Sequence, residues 1–366
     1  MLYVTYNDLE SAGYIGIKKK VLAQAAAFVK VFGRAYHTCH EGQMMYLLDG
    51  ENLLEKEVAV TRKDCNLVLG QWVEKYNITK TYIRYNLSDR WFLQFLQFQK
   101  ERGIKTVLEI PTYPYDDELG DGRRKREDMY FRKQLGRYVD VIATYTDDRK
   151  IWEIPCINLR NGIDIRSIPM SAKKKKDHTI NFIAVSSMAP WHGYERFLEG
   201  MYLYYKAGGD YDLYLRLIGE GSEEEHYRSL TDRYGLNARV EFCGRMTGGE
   251  LDKMFDLSDV AVGSLGMYKI GISEGCPIKA AEYCARGIPF ICGYSDLRFA
   301  KGQDFVMQVS NDGNAADMDA IIRFYETIIS KQDYQKEMRG YAQDHLTWES
   351  IMRPVVTYLE EKTKGR

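Results

Sequence analysis

What most constrains this chain is its alternation of strand-like apolar runs with stretches of helical period. Apolar runs at residues 2–6, 81–86, 106–110 and 139–145 are separated by segments whose apolar residues recur every three to four positions, as at 17–32, 66–76 and 88–102. The alternation resumes at 179–186 and continues through 213–218, 240–243, 260–262 and 288–292. Strands separated by helices do not form hairpins; they pair in parallel, with helices covering both faces of the sheet. Between the halves lies a run of four lysines within residues 167–178, read as a linker. At 366 residues the chain exceeds one ordinary core. The expectation is an α/β protein of two Rossmann-like, doubly wound domains facing a cleft. These span residues 1–166 and 167–346, with a closing helix at 347–366 that Thr347 would cap. Ligands of such sheets bind outside the carboxyl ends of the strands.

Composition narrows the function classes. The formal net charge is −1, which gives no electrostatic case for nucleic acid. No apolar run approaches the roughly 20 residues of a membrane span. Residue 1 leads straight into a strand-like run rather than a signal peptide. The seven cysteines form no CxxC pair and suit a reducing, cytoplasmic setting. The six histidines make no HxxxH or HExxH pattern, and His37 with His40 lacks further ligand-type neighbours, so no metal site is read. GxxxxGK[ST] and GxSxG are absent, which argues against a P-loop enzyme and an α/β-hydrolase.

One stretch, residues 271–293, has unusually complete local punctuation. Pro277 suits a helix start, Gly287 its left-handed end, and Pro289 blocks continuation into the strand at 288–292. Glu274 precedes the helix and Glu282 lies within it. Lys279 sits near its start, where the helix dipole disfavours a cation by roughly 0.3–1 kcal/mol. An anion on the N-terminal N–H groups would remove that conflict. Lys279, Glu282 and Arg286 share one face, so a solvated Lys279–Glu282 pair is the competing reading.

Glu274, seven residues, Glu282, then Ala285-Arg286-Gly287-Ile288-Pro289 resembles the donor motif of family-4 glycosyltransferases, retaining enzymes of the GT-B fold. Further segments in family order strengthen the resemblance: Asn161-Gly162-Ile163-Asp164, Leu217 to Gly221, Val240 to Gly244, and Trp348-Glu349 opening the last helix. Local phrasing at 191–197 and 109–115 is similar to bacterial capsule and exopolysaccharide transferases. The resemblance implies a hexosyltransferase that moves a sugar from a nucleotide diphosphate, UDP in preference to GDP, to a glycan or polyprenyl-linked acceptor. Neither metal nor other cofactor is implied, and the last helix is expected to cross back to the first domain. Two alternatives stay open: a non-catalytic GT-B-like subunit that binds a partner, and a nucleotide-sugar epimerase on the same fold.

By that resemblance Glu282 binds the ribose and Glu274 the donor sugar, while N–H groups of Gly275, Cys276, Ile278 and Lys279 cradle the diphosphate. Gly219, Arg245 and Asn161 complete the donor set. The family's usual Arg and Lys after the first strand of the donor domain are missing: residues 186–193 place His192 where the lysine would stand. Lys279 is the first replacement. His192 supplies a hydrogen bond, or a charge if phosphates raise its pKa. Glu274, Lys279 and His192 are therefore the catalytic candidates. Acceptor candidates are Gly13 and Gly16 in a loop after the first strand, and Glu109, Thr112 and Tyr113 in the turn after the 106–110 strand. Lys18 to Lys20 and Arg123 to Arg126 leave two readings open, an ordinary core helix with solvated ends or contact with an anionic membrane. The expected place is the cytoplasm, under the second reading peripheral on the inner face of the cell membrane.

Overall fold

The computed structural model describes residues 1–7, 15–172, 178–299 and 303–361. The chain divides into two compact units, Met1–Arg160 with Trp348–Arg366, and Asn161–Thr347.

The first unit is built on one mixed sheet. Its strands are β1 (Leu2–Val4), β2 (Tyr36–Glu41), β3 (Met44–Asp49), β4 (Asn52–Val58), β5 (Lys80–Arg84), β6 (Lys105–Ile110), β7 (Val141–Thr144), β8 (Lys150–Ile151) and β9 (Ile154–Asn158), in the order β4-β3-β2-β1-β5-β6-β7-β9-β8. Strands β2, β1, β5, β6, β7 and β9 run parallel. The β2-β3-β4 edge and the β8–β9 pair are antiparallel, a departure from the all-parallel expectation. Gly42 and Gly50, both with positive φ, make the tight turns that fold residues 36–58 back on themselves. Helices α1 (Ile15–Phe32), α2 (Arg62–Lys75), α3 (Arg90–Glu101) and α4 (Arg123–Phe131) belong to this unit. Thr61 and Asp64 form a capping box on α2. Asp89 caps α3 by accepting from the Phe92 N–H at 2.7 Å.

The second unit is a parallel sheet of β10 (Thr179–Val185), β11 (Asp212–Ile218), β12 (Val240–Phe242), β13 (Val260–Val262), β14 (Phe290–Cys292) and β15 (Val306–Gln308), in the order β12-β11-β10-β13-β14-β15. Its helices are α5 (Glu195–Lys206), α6 (Glu224–Arg233), α7 (Gly248–Asp256), α8 (Ile278–Arg286), α9 (Met318–Ile329) and α10 (Tyr334–His345). The order reverses at β10, since β11 lies on one side of it and β13 on the other. That reversal is the topological switch point of such sheets, where ligands bind.

The junction falls earlier than the lysine run. Ile163 is buried in the second unit and its N–H donates to the Leu346 carbonyl at 2.9 Å. The Ser171 N–H likewise bonds the Arg286 carbonyl. Residues 161–172 are therefore packed chain of the second unit, and residues 173–177 lie outside the described residues. After α10 the chain returns to the first unit as α11 (Trp348–Ile351) and α12 (Arg353–Glu360). Trp348, Met352 and Val355 bury against Val21, Ala25 and Phe28 of α1. Pro354, in the first turn of α12, breaks what the sequence presents as one helix. Thr347 donates its hydroxyl to the Gln343 carbonyl, joining the end of α10 to the start of α11.

Candidate active site

At the carboxyl edge of the second sheet, the loops after β10, β11, β13 and β14 are knitted together. The Leu265 N–H donates to the His192 carbonyl at 2.8 Å, and the Gly266 N–H to the Trp191 carbonyl at 3.2 Å. Gly293 donates to the Ser264 carbonyl at 2.8 Å. Gly193 has φ +64, and a Cβ there would lie 2.4 Å from the Gly266 nitrogen, so the two loops meet only because both residues lack side chains. Buried Arg196 of α5 fastens this edge from beneath, donating to the carbonyls of Leu265, Ser310 and Asn314.

Helix α8 opens onto the same edge. Pro277 is its N-cap residue, no side chain caps it, and Gly287 ends it in the left-handed region. The N–H groups of Ile278 and Lys279 open the helix with no carbonyl four residues back inside it. The Lys279 ammonium is sealed from solvent, with no hydrogen-bond partner among the described residues. The solvated Lys279–Glu282 pair does not form, and Arg286 turns instead to Asp252 at 2.7 Å. Burial pulls the Lys279 pKa from 10.5 down to about 7, opposed only by the nearby Cys292 thiol. An unpaired buried ammonium costs several kcal/mol unless an anion joins it.

His192 lies beside it. The Ala189 N–H donates to His192 Nδ1 at 2.9 Å, which leaves the ring hydrogen on Nε2. Burial and then Lys279 push the imidazole pKa down to about 3. At neutral pH His192 of the ligand-free protein is therefore an uncharged Nε2–H donor.

The approach to α8 is held by a pair that the sequence reading missed. Arg298 and Asp296, both buried, form a two-pronged ion pair with contacts of 3.0 and 2.6 Å. Arg298 also donates to the Pro277 carbonyl at 2.7 Å and the Asn161 carbonyl at 3.1 Å. It therefore ties the helix start, the loop after β14 and the junction segment together. No motif marks it; the spacing of an acid and an arginine two apart after a strand is its only signal.

The remaining donor candidates divide. Glu274 is exposed on a segment pinned by a parallel bridge to Ser295. Glu282 is half-buried on α8, one turn beyond Lys279. The Gly275 N–H already donates to the Ser295 carbonyl at 2.9 Å, so it is not free to hold a phosphate as expected. Gly219 is corrected similarly. Its N–H is taken by the Gly244 carbonyl, and a Cβ on it would fall 1.8 Å from the Ser186 carbonyl, so its role is close packing. Cys276 is half-buried, Ile278 is exposed, and Asn161 meets the site through its backbone carbonyl. Arg245 is exposed beyond the edge strand β12 and pairs with Glu220 at 3.1 Å.

In the first unit the acceptor candidates separate further. Glu109 is fully buried, and its carboxylate accepts from Tyr3, Gln24, Arg84 and Tyr145 at 2.8–3.3 Å. It is a structural anion and cannot face an acceptor. Tyr113 packs into the core against Trp152. Thr112 is exposed and lines a cavity with Tyr85, Asn86 and Arg124. Gly16 lies in the first turn of α1 rather than in a loop, and Gly13 lies outside the described residues. Among the described residues no three His, Cys, Asp or Glu side chains converge as metal ligands, and no helix is long and apolar enough to cross a membrane.

Comparison with known proteins places this geometry. Residues 167–309 match the sequence family described as Glycosyl transferases group 1. No curated protein matches the chain by sequence. Among solved structures, a glycosyltransferase from Rickettsia africae superposes with a TM-score of 0.60 at 12% identity, covering 100% of this chain and 98% of that one. HepE of Anabaena, solved with UDP, gives 0.56 at 11% identity over 98% and 99%. The lipopolysaccharide outer core galactosyltransferase WaaB in its apo form gives 0.56 at 11% over the same shares. The second unit thus carries a stretch similar to the group 1 glycosyl transferases, and the chain has the fold of GT-B glycosyltransferases.

Proposed function

We propose that the protein is a retaining glycosyltransferase that moves a hexose from a nucleotide diphosphate, UDP in the first instance, to a glycan or lipid-linked acceptor in polysaccharide synthesis. The observation that carries this reading is the sealed, unpartnered Lys279 ammonium in the first turn of α8. A diphosphate there would pair with it and accept from the Ile278 and Lys279 N–H groups and from His192 Nε2. Glu282 accepts from the two ribose hydroxyls, a geometry that suits a carboxylate. Glu274 accepts from hydroxyls of the donor sugar. The acceptor oxygen bonds to the anomeric carbon as the carbon–oxygen bond to the diphosphate breaks. The acceptor approaches on the same face of the sugar from which the diphosphate leaves, and the departing phosphate oxygen takes its proton, so configuration is retained. The leaving diphosphate gains negative charge in the transition state, and a fixed cation and helix N–H groups aimed at it are the main catalytic term. Lys279 supplies that charge without a metal ion. Similarity of residues 167–309 to the group 1 glycosyl transferases and the UDP bound by HepE support the nucleotide part of the reading. The work is assigned to the cytoplasm, at the inner membrane face when the acceptor is lipid-linked.

Thermal unfolding with UDP, GDP and ADP tests the binding step. One of the three should raise the melting temperature of the wild type and not of Glu282→Ala. If none of them shifts the wild type, the nucleotide reading fails.

A further inference from the structure

We infer that the first unit carries a binding site for an anionic sugar, and that Arg124 is the residue that reads its charge. The site is the cavity of about 230 Å³ at the carboxyl ends of β5 and β6. That volume lies below the roughly 300–1,000 Å³ of drug-sized sites, so it suits a single ring rather than an extended chain.

Its walls are fixed before any ligand arrives. Tyr85 and Tyr115 contribute buried rings, and both phenols donate to the buried Asp128 carboxylate, at 2.5 and 2.7 Å. With their hydroxyls committed there, the rings offer the cavity apolar surface, the kind a sugar's C–H face packs against. The lip is Asn86-Leu87. Leu87 has φ +63, an uncommon conformation for a branched side chain. Arg62 holds it, donating to the Asn86 carbonyl at 2.8 Å and the Leu87 carbonyl at 2.9 Å. Backbone held in such a conformation by a dedicated clamp is a recurrent feature of ligand sites.

The polar chemistry is one-sided. Arg124 is the only charged side chain lining the cavity among the described residues. Its Nη2 donates to Asn86 Oδ1 at 3.2 Å, which orients the guanidinium at the lip, and it makes no ion pair among the described residues. Its remaining N–H groups match a carboxylate or phosphate in two-pronged fashion. It sits in the first turn of α4 beside Arg123 and Arg126, a turn with no acidic residue of its own, while the neighbouring Lys125 is paired with Asp121 at 3.3 Å. A uronic acid and a sugar phosphate share the required chemistry: one ring against the tyrosines, one anion on Arg124. Calling this ligand the acceptor rests on the transferase reading; the binding itself does not.

The test measures binding to the full chain by ligand-observed NMR, with no donor present. The probes are methyl glucuronide, glucose 6-phosphate, methyl glucoside and inorganic phosphate. At least one of the two anionic sugars should bind about tenfold tighter than the neutral glucoside, a margin that Arg124→Gln abolishes and that Arg124→Lys, which keeps the charge but not the two-pronged fork, retains only in part. Which of the two binds identifies carboxylate or phosphate as the anion. The inference is overturned if neither anionic sugar outbinds the glucoside, if Arg124→Gln keeps the margin, or if inorganic phosphate binds as well as the sugar phosphate. Arg124 is exposed, so the variants should fold, and an unchanged melting temperature checks this. Loss of nucleotide binding elsewhere in the chain would leave this result standing, so the two readings fail separately.

Discussion

Nucleotide binding should draw a proton from solvent, and Lys279 is the reason. In the ligand-free protein its ammonium titrates at about 7 instead of 10.5, because it is buried without a partner. A bound diphosphate would restore the pKa toward its ordinary value. Between those limits the complex holds one proton more than the free protein. The groups around it stay silent in this window: His192 is already neutral with its pKa at about 3, and Cys292 is pushed up to about 12. The buried Tyr283 and Tyr294 phenols are pushed well above their ordinary range by burial. The diphosphate itself is fully ionised above about pH 7. The free protonated fraction falls from about one half at pH 7 to about one hundredth at pH 9, so affinity for UDP should weaken about 50-fold, or ~2 kcal/mol. Calorimetry at pH 8 in buffers of different ionisation enthalpy should report uptake of about 0.9 proton per nucleotide.

The same group sets the sign for stability. The unfolded chain keeps this proton up to about pH 10.5 and the folded chain releases it at about pH 7, so the ligand-free protein should gain stability as pH rises through that window. Lys279→Met should stabilise the ligand-free protein at pH 7, by up to roughly 4 kcal/mol, while removing the pH-dependence of nucleotide affinity and most of the affinity itself. Zero proton uptake in the wild type, or a Lys279→Met protein with unchanged UDP affinity and pH slope, refutes the assignment of the diphosphate to Lys279.

Other perturbations probe the surrounding frame. Glu282→Ala should weaken nucleoside diphosphate binding by roughly 1.5–3 kcal/mol, read by calorimetry, while leaving the melting temperature of the ligand-free protein within a degree or two. Arg298→Met strands the buried Asp296 carboxylate and should cost roughly 3–5 kcal/mol in denaturant unfolding, with nucleotide affinity falling as the start of α8 loosens. Burial alone would raise the Glu109 carboxyl pKa, but Arg84, Lys20 and the Tyr145 and Gln24 hydrogen bonds outweigh it and hold it below 4.5. The stability it contributes is present above that pH and lost as the carboxylate protonates on acidification, so Glu109→Gln should flatten the acid limb of unfolding.

The second unit was legible in the sequence because each of its signals is local. Pro277 and Gly287 delimit α8 whatever the tertiary context, and short apolar runs punctuated by glycines mark β11, β13 and β14. What escaped is what depends on contacts distant in sequence. The turns at Gly42 and Gly50 make an antiparallel edge from residues that alternate poorly, and β4 is exposed on both faces, so no period-two pattern announces it. Glu109 stands beside a turn that reads as a ligand loop, yet its partners come from residues 3, 24, 84 and 145. Gly219 and Gly275 enter the donor set by resemblance alone, and their N–H groups are taken by Gly244 and Ser295. Lys279 was the reverse case. Its awkward place at a helix start was visible in the sequence, and the structure adds that its ammonium is sealed and unpaired.

Turnover of the donor tests the central claim most directly. The wild-type protein, incubated with UDP-, GDP- and ADP-hexoses, should slowly release one nucleoside diphosphate by transfer to water, and Glu274→Ala should abolish that release while still folding. No release from any of the three donors, or release undiminished by Glu274→Ala, would contradict the account.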